Sequence, residues 1–146
     1  MEVEIKLDPN CTQPKVIIYT NEITQEINDL AKSLSGIEYS SLAGYKRGEI
    51  LLIRPDDIIR IYSQGQKILA QLEKDTVQLK YRLYELENRL AGTSFMRISN
   101  SEIVNFKKVV SLDMSMSGTI SLKYKSGEKS FVSRRYIEKI KKYLEI

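Results

Sequence analysis

The chain has 146 residues with 23 basic and 19 acidic side chains, a formal charge of +4, no histidine and one cysteine, Cys11. Lacking imidazole and paired thiols, it excludes histidine-based catalytic triads, nearly every zinc site and an internal disulfide. The length fits one domain, or one domain with an appendage, and buries most of its apolar surface without staples.

The opening residues Met1-Glu2-Val3-Glu4 lack the basic and apolar regions of a signal peptide. No apolar run approaches the roughly 18 residues a membrane-spanning helix requires. A soluble, cytoplasmic protein is therefore expected. Val3, Ile5 and Leu7 alternate with charged residues, the period-2 pattern of a half-buried strand. Asp8-Pro9-Asn10 reads as a turn, and Val16–Tyr19 as a compact buried strand. Thr20 or Asn21 offers a helix N-cap, Glu22 stands in the first turn, and Ile23, Ile27, Leu30 and Leu34 make one helical stripe that Gly36 ends. This βα piece is too small for a receiver domain, so it must pack on the rest of the chain or on a second copy.

From Glu38 onward strands dominate. They are expected at Tyr39–Tyr45, Glu49–Ile53, Ile58–Tyr62, Lys67–Glu73, Lys107–Asp113, Thr119–Tyr124 and Lys129–Val132, with Gly48, Gly65, Gly118 and Gly127 at turns. Phe95 and Arg97 alternate on a further strand. Two helices interrupt the pattern. Leu79, Leu83, Leu86 and Leu90 form the stripe of one. Ser133 opens the other, with Ile137, Ile140 and Leu144 facing inward. Asp56-Asp57 follows Pro55 and reads as turn chemistry, not as a pair of catalytic carboxylates.

Charge is unevenly divided. Residues 1–45 carry −4, residues 46–99 carry +3 and residues 100–146 carry +5. The positive excess lies wholly in the strand-rich part, which points to a polyanion partner there, although a solvated lysine-rich surface would look the same by charge alone.

Two runs stand out. The first, Phe95-Met96-Arg97-Ile98-Ser99-Asn100-Ser101-Glu102-Ile103-Val104-Asn105, sets compact polar groups beside an apolar pair. The second, Val132-Ser133-Arg134-Arg135-Tyr136, places two arginines in the first turn of a helix, against its dipole. That arrangement suits an arriving phosphate. Together with Ile50–Tyr62 and the leucine-rich Leu83–Leu90, these runs resemble, in order and spacing, the LytTR family of bacterial DNA-binding domains. The resemblance covers about Glu49 to the C-terminus. It implies a LytTR-type antiparallel β DNA-binding domain over residues 46–146, mostly β with short helices, preceded by an N-terminal βα extension over 1–45, and α+β overall. The connection Ser63–Lys67 departs from the pattern in lacking the His or Arg often found there.

On spacing alone Asn100 serves equally as a turn cap or as a reader of an adenine edge. The resemblance assigns it to base contact, as it does Arg135, whose fork suits guanine. Gln66 and Lys67, at a hairpin tip, match the family's first DNA-contacting loop and are also expected at bases. Arg97, Lys107, Lys108 and Ser101 are expected at phosphates. Arg134 is either a phosphate clamp or a core-edge salt bridge. Asn105 is expected to tie loop backbone together. Tyr81, Tyr84, Tyr136 and Tyr143 read as core-edge packing residues.

The expectation is a stand-alone regulator of transcription that reads successive major grooves of double-stranded DNA with loops and a helix N-terminus. A homodimer is expected, with no cofactor, no metal and no small-molecule substrate. No nucleophile, base and orienter assemble into an enzyme site. A different class of reading is a sensing or protein-interaction module whose N-terminal unit meets a partner such as a membrane-embedded inhibitor. An RNA-binding module is the third.

Overall fold

The computed structural model describes residues 1–34 and 41–146. The expected helix stop at Gly36 and the first two residues of the strand expected at Tyr39–Tyr45 lie outside the described residues. The chain forms two compact units, Met1–Ile37 and Glu38–Ile146. Strand β1 (Leu42–Lys46) pairs with its neighbours inside the second unit, so the division falls earlier than the expected boundary between 45 and 46.

Among the described residues of the first unit one regular element forms, helix α1 (Gln25–Leu34). Thr24 caps it, its Oγ1 accepting from Ile27 N at 3.3 Å, three residues or more beyond the expected Thr20 or Asn21. The turn at Asp8 is present, closed by Cys11 N donating to Asp8 O at 3.0 Å. The strands expected at 3–7 and 16–19 are absent. Their apolar residues have no neighbouring strand in the described structure, and an alternating pattern without a partner does not make a sheet.

Among the described residues of the second unit the strands pair antiparallel. After β1 come β2 (Glu49–Ile53), β3 (Arg60–Gln64), β4 (Lys67–Gln71) and β5 (Thr76–Leu79). Helix α2 (Leu83–Arg89) follows, then β6 (Phe95–Ser99) and β7 (Glu102–Asn105). These strands form a seven-stranded sheet in the order β2-β1-β5-β4-β3-β7-β6. The remaining strands, β8 (Val109–Asp113), β9 (Ile120–Tyr124) and β10 (Lys129–Val132), make a second sheet ordered β10-β9-β8, and helix α3 (Arg134–Leu144) closes the chain.

Strand β5 takes Leu79 out of the helical stripe expected for it. Val77 and Leu79 are both buried at period 2, Leu79 opposite Gly44 of β1 and Ile68 of β4, so sheet pairing overrides the chance spacing to Leu83. Pro55-Asp56-Asp57 is a 3₁₀ turn, which moves β3 two residues later than expected. Phe106–Lys108 is another, with Asn105 as its cap, and it takes Lys107 and Lys108 out of the strand expected from 107.

Among the described residues there are two cores. One lies under α2 and gathers Leu42, Ile58, Ile61, Leu79, Leu86, Phe95 and Ile103. The other lies under α3 and gathers Ile98, Val104, Ile120, Leu122, Tyr124 and Ile140, with Ile137 and Leu144 packed against it. Successive residues of a strand point to opposite faces. Strand β7 therefore sends Ile103 into the first core and Val104 into the second, and both are fully buried.

Candidate nucleic-acid interface

Three pieces of the second unit meet along one edge. The first is the β3–β4 hairpin tip. Gln64 pairs with Lys67, leaving Gly65-Gln66 as a two-residue turn. Gly65 has φ +62° and Gln66 does not share the positive φ, the pattern of a type II′ turn, in which glycine avoids a Cβ penalty at the first position. Gln66 and Lys67 are exposed.

The second piece is the turn Ser99-Asn100-Ser101 between β6 and β7. Ser101 N donates to Ser99 Oγ at 3.2 Å, and the two serine hydroxyls stand 3.2 Å apart. Arg97, expected at a phosphate, commits its guanidinium to this turn from within. Its Nε donates to Ser99 O at 3.1 Å and its Nη2 to Asn100 O at 2.8 Å, while Nη1 lies 3.9 Å from Glu87 of α2. The turn is thus held through its carbonyls, and the side chains of Asn100 and Ser101 remain exposed.

The third piece is the N-terminus of α3. Ser133 occupies the cap position, but its hydroxyl makes no capping hydrogen bond, contrary to what its residue type led one to expect. The first N–H groups of the helix are left to an outside acceptor. Arg134 and Arg135 are both exposed, and among the described residues neither guanidinium has an ion-pair or hydrogen-bond partner.

Backbone hydrogen bonds join the three pieces. Ser63 N donates to Ser101 O at 2.8 Å, fixing the hairpin beside the turn, with the tip about 7 Å further along the strand direction. Ser133 N donates to Ile98 O at 2.8 Å, fixing the helix start beside the same turn. Tyr136, half-buried against the second core, directs its hydroxyl at Asn100 Oδ1, 3.5 Å away. Its packing role was legible in the sequence and its position at Asn100 was not. Gln66, Lys67, Asn100, Ser101, Arg134 and Arg135 are therefore gathered on one edge. Lys107 and Lys108 are not, because they follow the far end of β7, where Lys107 Nζ lies 3.5 Å from Asp56.

Asn105 stands at that far end and is fully buried. Its Nδ2 donates to Ile58 O at 2.9 Å, and its Oδ1 accepts from Ser94 Oγ at 2.6 Å and Lys107 N at 3.1 Å. It ties together the backbone that enters β3 and leaves β7. Among the described residues there is no cluster of His, Cys, Asp or Glu able to hold a metal, and no helix is long and apolar enough to cross a membrane.

A solved Bacillus cereus structure, described as the LytTr DNA-binding domain of a methyl-accepting/DNA response regulator, has the same fold. It superposes with a TM-score of 0.70 at 24% identity, over 73% of this chain and 98% of that one. An uncharacterized HTH-type transcriptional regulator of Staphylococcus aureus strain NCTC 8325 / PS 47 is 30% identical over the whole of this chain and 99% of its own length. Its counterpart described in the same words from strain MSSA476 is 35% identical over 91% of this chain and 86% of its own. Among the described residues of this chain no helix-turn-helix occurs, since α2 and α3 are separated by five strands. The sequence model of the LytTr DNA-binding domain matches residues 48–145, and the chain belongs to that family.

Proposed function

We propose that this chain is a sequence-specific, double-stranded DNA-binding regulator of transcription. It reads the major groove with the 65–67 hairpin tip, the 99–101 turn and the N-terminus of α3. The observation that carries the reading is the joining of these three pieces by backbone hydrogen bonds, with two unpartnered arginines at an uncapped helix start. Arg135 and Asn100 are the base readers, with Gln66 and Lys67 beside them. Arg134, Ser101 and the first N–H groups of α3 take phosphate. Arg97 holds the turn in place. The +5 of residues 100–146 and the regulator names carried by the Staphylococcus relatives support the same conclusion.

The test is binding to a duplex selected by the protein from a random pool, followed across salt. Each phosphate neutralised contributes a log–log slope of about −0.9, so affinity falls steeply between about 50 and 200 mM salt. Affinity that is flat over that span removes the DNA reading, and a preference for single-stranded RNA replaces it with the RNA one.

A second role belongs to the first unit. Val3, Ile5, Leu7, Val16, Ile17 and Ile23 are all exposed, and α1 has no buried residue. So much apolar surface left open within the unit itself, on a segment of charge opposite to the rest, favours a protein partner over DNA. A second copy of the chain is the first choice and a membrane-embedded inhibitor the alternative. Sedimentation of the full chain, against the same chain with Ile23, Ile27 and Leu30 replaced by Ser, separates a dimer from a monomer.

A further inference from the structure

Behind the reading edge, between the two sheets, lies a polar cluster centred on Arg60. Its Nε donates to Gln71 Oε1 at 2.6 Å, its Nη1 lies 3.5 Å from Glu102 Oε1 and 3.4 Å from Ser130 Oγ, and its Nη2 lies 3.6 Å from Glu128. The guanidinium also sits over the Tyr62 ring, 4.7 Å from its centroid. Ser130, buried on β10, donates to Glu102 Oε2 and accepts from the Tyr124 hydroxyl at 2.8 Å. Every nitrogen of Arg60 is committed and the side chain is only 20% exposed, so it is not itself a DNA contact.

The members of this cluster sit on the strands that feed the reading edge. Arg60 is on β3, which runs out to the hairpin tip. Glu102 follows Ser101 directly and begins β7. Ser130 is on β10, four residues before Arg134. We infer that Arg60, Glu102 and Ser130 are positioning residues for DNA recognition, a junction that sets the hairpin, the turn and the start of α3 in register with one another. The inference rests on the DNA reading above. Base readers on three separate elements discriminate only when their spacing matches the groove, so loosening the junction costs sequence preference before it costs general attraction to phosphate.

Breaking one partner of a buried ion pair leaves an unpaired charge, whereas replacing both with apolar groups of similar volume is often neutral for stability. The decisive variant is therefore Arg60→Met combined with Glu102→Leu, with Ser130→Ala as an independent second. Each is compared with the parent for melting temperature, for affinity to the duplex the parent selects from a random pool, and for affinity to a shuffled duplex of the same composition. The expected result is a native circular dichroism spectrum and shuffled-duplex affinity and salt slope unchanged within about twofold. Preference for the selected duplex falls by about tenfold or more in the double variant and by a smaller factor in Ser130→Ala. Folded variants that keep the parent's preference, or that lose affinity for both duplexes equally, overturn the inference while leaving the DNA reading intact. If the double variant unfolds, Ser130→Ala decides by the same criterion. A parent that shows no preference between the duplexes removes the DNA reading and this inference with it.

Discussion

Asn100 and Asn105 carry the same carboxamide and flank the same strand, yet they occupy opposite kinds of place. At the start of β7 the chain turns in the open, and Asn100 is held by its backbone oxygen, leaving its side chain exposed with the Tyr136 hydroxyl 3.5 Å from its Oδ1. At the end of β7 Asn105 is enclosed, with its Nδ2 donating to Ile58 O and its Oδ1 accepting twice. One end of the strand presents a polar group and the other consumes one. A side chain is free to recognise a partner only where neighbouring residues have taken over the task of satisfying the backbone. At the open end Arg97 does so, and at the closed end Asn105 does it itself.

Substitution separates the two ends. Asn105→Ala leaves Ile58 O, Ser94 Oγ and Lys107 N without their partner and costs about 3 kcal/mol of stability. The melting temperature falls by about 10 °C or more, while the fraction still folded keeps its sequence preference. Arg135→Ala does the reverse. It costs about 2 kcal/mol of binding to the selected duplex and flattens preference at one base position, with the melt unchanged. An equal loss on every sequence would make Arg135 a phosphate contact. Asn100→Ala is expected to cost about 1 kcal/mol at one other position, and Tyr136→Phe about half of that at the same position, since the hydroxyl orients the amide. If Tyr136→Phe acts at a different position, the pairing of these two residues is wrong. Lys107→Ala is the smallest, a change under about 0.5 kcal/mol in both binding and stability, because its exposed partner Asp56 is far from the reading edge. A uniform weakening with one phosphate less in the salt slope would extend the DNA contact to the closed end of β7.

Where local pattern and tertiary pairing agree, elements could be read directly. Strands β2 and β10 begin and end where turn glycines and alternation place them, and Ile137, Ile140 and Leu144 face the core from α3 as their spacing requires. Where the two disagree, pairing wins. Leu79 sits four residues before Leu83 and matches a helical stripe, but β1 and β4 claim it for a strand. Val3, Ile5 and Leu7 alternate as a strand should and form none, because alternation says which face is apolar and not whether a partner exists. The candidate edge divides the same way. The residues of the turn and of the helix start announce themselves by type and order. The hydrogen bonds from Ser63 to Ser101 and from Ser133 to Ile98, and the meeting of Arg60 with Glu102 and Ser130, depend on register between distant strands, which no local pattern encodes.

The single peptide step from Ile103 to Val104 crosses from one core to the other. Neither core is complete without β7, so neither has a free-energy minimum of its own to fall back on. Heat or denaturant must then dissolve both in one transition, seen as coincident loss of signal from α2 and α3. Amide protons along β7 are expected to exchange with solvent through that global opening, and those of α1, which has no buried residue, through local fraying, as hydrogen exchange would show. The strand that carries the open turn is in this way expected among the slowest-exchanging of the second unit, so the exposed side chains of the turn rest on firmly held backbone.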